Sequence, residues 1–327
     1  MNYMEKNEIQ IKSTTALGSW SNWVLNEVSA QFDSGMIEFD DYSKKCAVDA
    51  MGAIYQLVQN TDKADLSQMD TSNLRDIVLR CASLKLSSTA LPAEVFFQLR
   101  NKKVGTNWVK EVEMGIMGSG YDALLRNFGV NVQKVYPVWE VCEGDVFEFP
   151  KRKGLAVEPP VWEPKGTSSK VIRVVYPVKL KGKDGEDYLI AERDSVKVNL
   201  MAHIRQNLMN ETFGICKSRY DATADQIQKI KAKKEEIYEA LRQCETVDDM
   251  LKCEVAKPYI SAAWLDSSES MIIRKMRNNA IRRFPKDMST LANQSMIQMD
   301  EVYKVSREEI AEQENSTPFV IEGEVEE

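Results

Sequence analysis

The feature that most constrains this chain is a double change of hydrophobic period. From Phe39 to Gln59 the residues Tyr42, Cys46, Ala50, Ile54, Leu57 and Val58 recur at three- and four-residue spacing, the signature of one amphipathic helix face. A second helix is expected from about Thr71 to Leu86, with Leu74, Ile77, Val78, Cys81 and Leu84 inward and Thr71 or Ser72 as its cap. Trp20 and Trp23 precede both as anchors. From about Glu94 to Glu192 the period becomes two, which predicts strands. These fall at Glu94 to Asn101 and Trp108 to Met117, paired across Lys102-Lys103-Val104-Gly105-Thr106, then at Val132 to Val141, Val146 to Phe149, Ser169 to Leu180 and Asp187 to Glu192. Gly182 and Asp184-Gly185 mark a hairpin between the last two. Ser119 to Phe128 reads as a short helix ended by Gly129. Beyond Glu192 the helical period returns, at Val196 to Met209, about Ala222 to Gln243, and Ser267 to Phe284. The order predicts an α+β fold: an antiparallel sheet with an inserted helix, flanked by helices.

The 43% of apolar residues suffices for a core in a chain of 327 residues. The expected organisation is an N-terminal helical region (1–65), a core (66–290) with a helical insertion at about 211–260, and a disordered acidic tail (291–327). No apolar run approaches the roughly 20 residues that cross a bilayer, and the N-terminus has no apolar leader segment, so a soluble, cytoplasmic protein without a membrane partner is expected. The six cysteines are scattered without a C-x-x-C pair and read as reduced thiols.

The net charge of −7 argues at first against a nucleic-acid partner, but its distribution is uneven. Residues 300–327 hold ten acids against Lys304 and Arg307, a net of −8, which leaves +1 for residues 1–299. A near-neutral body with local basic clusters is compatible with binding a phosphate backbone. The densest cluster is Arg274, Lys275, Arg277, Arg282, Arg283 and Lys286, with no acid between Met271 and Lys286. On a helix Arg274, Arg277 and Arg282 can share a face; the plain reading is a solvated basic surface, the functional one a phosphate track. A second cluster, Arg100, Lys102, Lys103 and Lys110 around Trp108, interleaves cations with an aromatic ring, a pattern suited to single-stranded DNA if Trp108 stacks a base and merely structural if it fills the core. Lys151-Arg152-Lys153, Lys179, Lys181 and Lys183 read as surface charges that flank such a path.

Other chemistry has less support. There is no G-x-x-x-x-G-K-[ST] loop, and Gly118-Ser119-Gly120 reads as a strand-to-helix turn. The one histidine, His203, reads as structural, and the acid pairs Asp40-Asp41, Asp248-Asp249 and Glu308-Glu309 are adjacent rather than convergent. The long helix at about 222–243 sets Ile227, Ile230, Ile237 and Leu241 against a Lys/Glu face and is expected to pack within the chain, with another subunit as the other possible neighbour.

Several segments in order resemble the RecT family of phage and prophage recombinases: Cys81-Ala82-Ser83-Leu84-Lys85-Leu86, Gly120-Tyr121-Asp122-Ala123-Leu124-Leu125-Arg126-Asn127-Phe128-Gly129, Glu143-Gly144-Asp145-Val146-Phe147-Glu148-Phe149, Val175 to Gly182, and Trp264 to Arg283 with its Asn279-Ala280-Ile281-Arg282-Arg283-Phe284 ending. The Lys/Glu-rich segment from about Glu211 to Ile260 departs from that pattern, as does the sequence of the hairpin tip at 102–106. The resemblance implies a Rad52-like annealing core and ATP-independent binding and annealing of single-stranded DNA, with no bond chemistry. It also implies ring or filament assembly, and as partners the single strand, the annealed duplex, a 5′-to-3′ exonuclease and the host single-strand binding protein. It implies a phage or prophage origin and a bacterial cytoplasm, with no ATP or other cofactor and Mg²⁺ entering only through the DNA. It adds Tyr121 and Arg126, beside the expected groove, to the two clusters; Tyr121 otherwise caps the core. Binding without annealing, or a structural oligomer with no DNA role, are the competing readings.

Overall fold

The computed structural model describes residues 16–34, 39–61, 69–104 and 107–299; the side chains of 102–108 and the acidic segment 300–327 lie outside the described residues. The chain forms two units, one of residues 1–169, 173–191 and 277–296, the other of residues 170–172, 192–276 and 297–327. Among the described residues no helix is long and apolar enough to cross a membrane.

In the first unit, α1 (Ala16–Ser34), α2 (Asp41–Gln59) and α3 (Thr71–Leu84) pack on one another. The three- and four-residue spacing is realised except at the ends of α2, where Tyr42 is exposed and Leu57 only half-buried: Cys46, Ala50, Ile54 and Val58 of α2 and Leu74, Ile77, Val78 and Cys81 of α3 form a buried stripe. Each large apolar side chain removed from water there contributes about 1.5–3 kcal/mol. The cap of α3 is Asp70, one residue ahead of the expected Thr71 or Ser72; its carboxylate accepts from the Ser72 amide at 2.9 Å. A carboxylate satisfies the free amides of the first turn and also complements the helix dipole.

β1 (Val95–Val104) and β2 (Asn107–Ile116) form an antiparallel hairpin in register from Val95 opposite Ile116 to Val104 opposite Asn107. Alternation turns Val112, Met114 and Ile116 inward, and Met114 Sδ lies 3.6 Å from the Cys81 thiol on α3. The Asn73 side chain of α3 brackets Val112, donating to its carbonyl at 3.0 Å and accepting from its amide at 2.8 Å, and so satisfies the β2 edge. The single sheet expected from the sequence is therefore divided, with the hairpin standing as a separate ladder.

After the hairpin come α4 (Gly118–Phe128), β3 (Val132–Val135), β4 (Trp139–Cys142), β5 (Val146–Glu148), β6 (Lys151–Lys153), β7 (Ala156–Glu158), β8 (Val161–Glu163), β9 (Val171–Leu180) and β10 (Glu186–Glu192). The order β10-β9-β3, with β4 also on β9, makes a four-stranded sheet; β5–β8 and β6–β7 are separate two-stranded ladders. The expected strand from Val132 to Val141 is split because Pro137 has no amide to donate. The short strands β6, β7 and β8 escape a periodicity search: β6 is Lys-Arg-Lys, exposed throughout, and prolines punctuate the segment. Gly182 and Gly185 take the positive φ that the β9–β10 hairpin needs (72° and 75°).

The second unit is helical, with α5 (Lys197–Leu208), α6 (Ala224–Arg242), α7 (Val247–Lys252), α8 (Ala262–Asp266) and the start of α9 (Ser268–Arg282). The Lys/Glu helix α6 starts with a Thr223/Gln226 capping box and turns Ile230, Ile237 and Leu241 onto α5, an intrachain contact; Ile227 stays exposed. Arg193 is 7% exposed and holds two carboxylates, Asp248 at 2.8 and 3.0 Å and Glu269 at 2.8 and 3.0 Å, while donating to the Val171 carbonyl at 2.9 Å. His203 is structural: its Nε2 accepts from the Ser261 amide at 3.3 Å. The tail expected from 291 does not begin there, because α10 (Thr290–Met299) is helical and buries Ala292 and Ser295 in the first unit.

Candidate nucleic-acid interface

The inserted helix α4 organises the basic residues of the first unit. Its start is set by a close approach that only glycine permits: a Cβ on Gly120 would lie 2.2 Å from the Glu94 carbonyl oxygen. At Gly118 a Cβ would lie 2.8 Å from Nη1 of Arg277, a side chain that would have to shift. Gly118-Ser119-Gly120 is thus the strand-to-helix turn, and the Ser119 hydroxyl donates to the Ala93 carbonyl.

Arg277 does not face solvent as a free phosphate ligand. Its guanidinium pairs with Asp122 of α4 at 2.5 Å and donates to the Tyr176 hydroxyl of β9 at 2.9 Å, while that hydroxyl donates to the other Asp122 oxygen. Burial lifts the Asp122 carboxyl above its usual range in spite of the cation, and burial together with the Asp122 charge raises the Tyr176 phenol. The triad locks α4, β9 and the end of α9 together. Nothing in the sequence singled out Asp122 or Tyr176 as partners of Arg277, since the three lie far apart along the chain.

Main-chain hydrogen bonds then draw four chain ends to one place. The segment after α9 runs antiparallel to the end of α4: the Val130 amide donates to the Pro285 carbonyl at 3.0 Å and the Asp287 amide to the Phe128 carbonyl at 2.7 Å. One residue on, Asn131 accepts from the Lys181 amide at the end of β9 at 2.8 Å, and β3 begins. Each of these ends carries exposed cations: Arg126 on α4, Lys134 on β3, Lys181 after β9, and Arg282 and Arg283 at the end of α9. Arg126 has the Glu94 carboxylate 3.5 Å away and remains 58% exposed at its side chain.

The remaining expected contacts fall elsewhere. Lys286 is drawn in: its ammonium donates to the Ile281 and Phe284 carbonyls at 2.6 and 3.0 Å, capping α9, and burial lowers its pKa to about 8. Tyr121 is buried on the inner face of α4. Arg100 is exposed on the hairpin but paired with Glu113, and Lys110 is half-buried on β2. The side chains of Lys102, Lys103 and Trp108 lie outside the described residues. Arg274 and Lys275 belong to the second unit, where Arg274 is half-buried and Lys275 is 7% exposed. Lys134 was not singled out by the sequence. The available signal was its place in β3 two residues before Tyr136, over whose ring its ammonium lies at 4.7 Å.

The Glu143 to Phe149 segment serves the architecture. The Asp145 carboxylate accepts from the Cys142 and Lys165 amides (2.9 and 2.8 Å) and from the Trp162 indole (3.0 Å), and these bonds hold its pKa below the usual range. Among the described residues no group of three or more His, Cys, Asp or Glu is placed to hold a metal ion. Comparison with protein-family models, with curated proteins and with solved structures finds no match to this chain.

Proposed function

We propose that the chain binds single-stranded DNA by its phosphates and anneals complementary strands without ATP. The observation that carries this reading is the convergence of Arg126, Lys134, Lys181, Arg282 and Arg283 on chain ends tied together by backbone hydrogen bonds. Exposed cations gathered in this way bind a phosphate track and leave base edges free for Watson–Crick pairing. The ordered resemblance to the RecT family supports the same reading. With it come, as parts of the proposal, a Rad52-like core, ring or filament assembly on DNA, an exonuclease and a host single-strand binding protein as partners, and a bacterial cytoplasm as the place of action. No bond is made or broken, and Mg²⁺ acts only through the DNA.

The test is a fluorescence-quench annealing assay with two complementary oligonucleotides, no ATP and a salt series. Faster pairing than buffer, fading as salt rises, is expected. Replacing Arg282 and Arg283 by alanine is expected to reduce the salt slope of strand binding by about 1 to 1.5, the share of two phosphate contacts on a single strand. Strand binding without faster pairing would leave a plain single-strand binder. No salt-dependent binding would leave a structural oligomer.

A further inference from the structure

We infer that one face of the four-stranded sheet in the first unit is a base-stacking platform for single-stranded nucleic acid, which shares Lys134 with the basic junction and rests on the binding function proposed for it. Along β9 the side chains alternate. Tyr176 points to α4, where its hydroxyl meets Asp122, so Arg173 and Lys179 lie on the opposite face. Lys134 of β3 is the register partner of Lys179 and shares that face. On this face Val175 and Pro177 of β9 are buried, and half-buried rings lie near them. Lys134 covers Tyr136 at 4.7 Å, Tyr188 of β10 lies 6.1 Å from Trp139 of β4, and Trp139 stacks on Trp162 of β8 at 5.5 Å.

Two features identify the occupant. Lys134 and Lys179 stand opposite each other in register, the Lys134 ammonium over the Tyr136 ring and the Lys179 ammonium donating to the Gly185 carbonyl at 3.1 Å. Two cations side by side on one face attract a phosphate. The rings next to them are half-buried, and a base whose partner strand is absent can stack on an outward ring face whatever its identity. A duplex presents no free base face, and an acidic peptide would have no use for the rings. The chemistry therefore selects a single strand, with phosphates at Lys134 and Lys179 and a base on Tyr136, Trp139 or Tyr188.

The test compares binding of a fluorescent oligo(dT) with an abasic oligomer of equal length by the full chain. Wild type is expected to bind oligo(dT) about tenfold or more tighter, the effect of a single stacked base. Tyr188→Ala is expected to lose most of that preference while Tyr188→Phe keeps it, and Lys134→Ala with Lys179→Ala to lower the salt slope while keeping it. Because Tyr188→Ala could disturb the sheet, wild-type protein is also photo-crosslinked to bromodeoxyuridine oligomers and the adducts are mapped. Adducts at Tyr136, Trp139 or Tyr188 are expected. Equal binding of the two oligomers, or adducts confined to other elements, would overturn the platform and leave the phosphate-binding reading standing. Failure to bind either oligomer would overturn both.

Discussion

Replacing Arg277 by alanine separates a structural cation from a DNA contact. In the folded chain its side chain is 17% exposed and that of Asp122 26% exposed, so the substitution strands a carboxylate that has lost most of its water. Removing one partner of a buried pair costs about 3–5 kcal/mol. Asp122 keeps the Tyr176 hydroxyl as a donor, which places the loss near the lower end, about 3 kcal/mol. For a unit of roughly 200 residues this lowers the melting temperature by about 6–12 °C. The pH dependence carries the diagnostic sign. The Asp122 carboxyl already sits above its ordinary range through burial, and removing the cation raises it further. A carboxyl whose folded pKa is raised weakens the fold above that pKa and is relieved as protons bind. The deficit of Arg277→Ala against wild type is therefore expected to be larger at neutral pH than near the ordinary Asp value of about 4 in urea unfolding, and to shrink when Asp122→Asn is added. A variant as stable as wild type that binds single strands poorly would refute the argument and return Arg277 to the DNA path.

Arg193→Met in the second unit leaves Glu269 without its cation and Asp248 with Lys170 alone, and is expected to cost about 3 kcal/mol in chemical unfolding. Since Arg193, with Lys170 beside it, holds the Asp248 carboxyl below its usual range, the wild-type cluster stabilises the fold above about pH 4 and loses that contribution as the pH falls further, whereas the variant, which keeps Lys170, should show a weaker acid limb. Asn73→Ala leaves both main-chain groups of Val112 without their side-chain partner and is expected to destabilise by about 2 kcal/mol, with faster amide exchange at Val112; unchanged exchange there would refute the edge-capping role.

The elements legible in the sequence are those whose burial is one-sided and whose ends carry local signals. α2, α3, α5 and α6 follow apolar spacing closely, and the β1–β2 hairpin follows alternation, because each turns one face inward. The strands from β6 to β8 were not legible. They are three residues long and largely exposed, so no burial pattern marks them. Sheet partition was hidden for another reason: alternation reports that a residue is in a strand and not which strand it pairs with, and the side chain that ends the hairpin's edge, Asn73, lies on a helix.

The candidate site shows the same limit within a single helix. The cations from Arg274 to Lys286 form one run in sequence, but a helix distributes successive residues about its axis, so their environments diverge. Lys275 turns inward and Arg277 is taken by Asp122 and Tyr176; Lys286 folds back onto the last carbonyls of α9. Arg282 and Arg283 remain exposed, because they fall where the helix ends and the chain turns to pair with Phe128–Val130. The same pairing delivers Arg126, Lys134 and Lys181 from elements that no charge run in the sequence connects with α9. The gathering of these cations is therefore set by backbone hydrogen bonds at Phe128–Asn131 rather than by the density of positive charge. It follows that a substitution disrupting Gly129, where a Cβ would come within 2.5 Å of the Leu125 carbonyl oxygen, should scatter the cations without removing any of them.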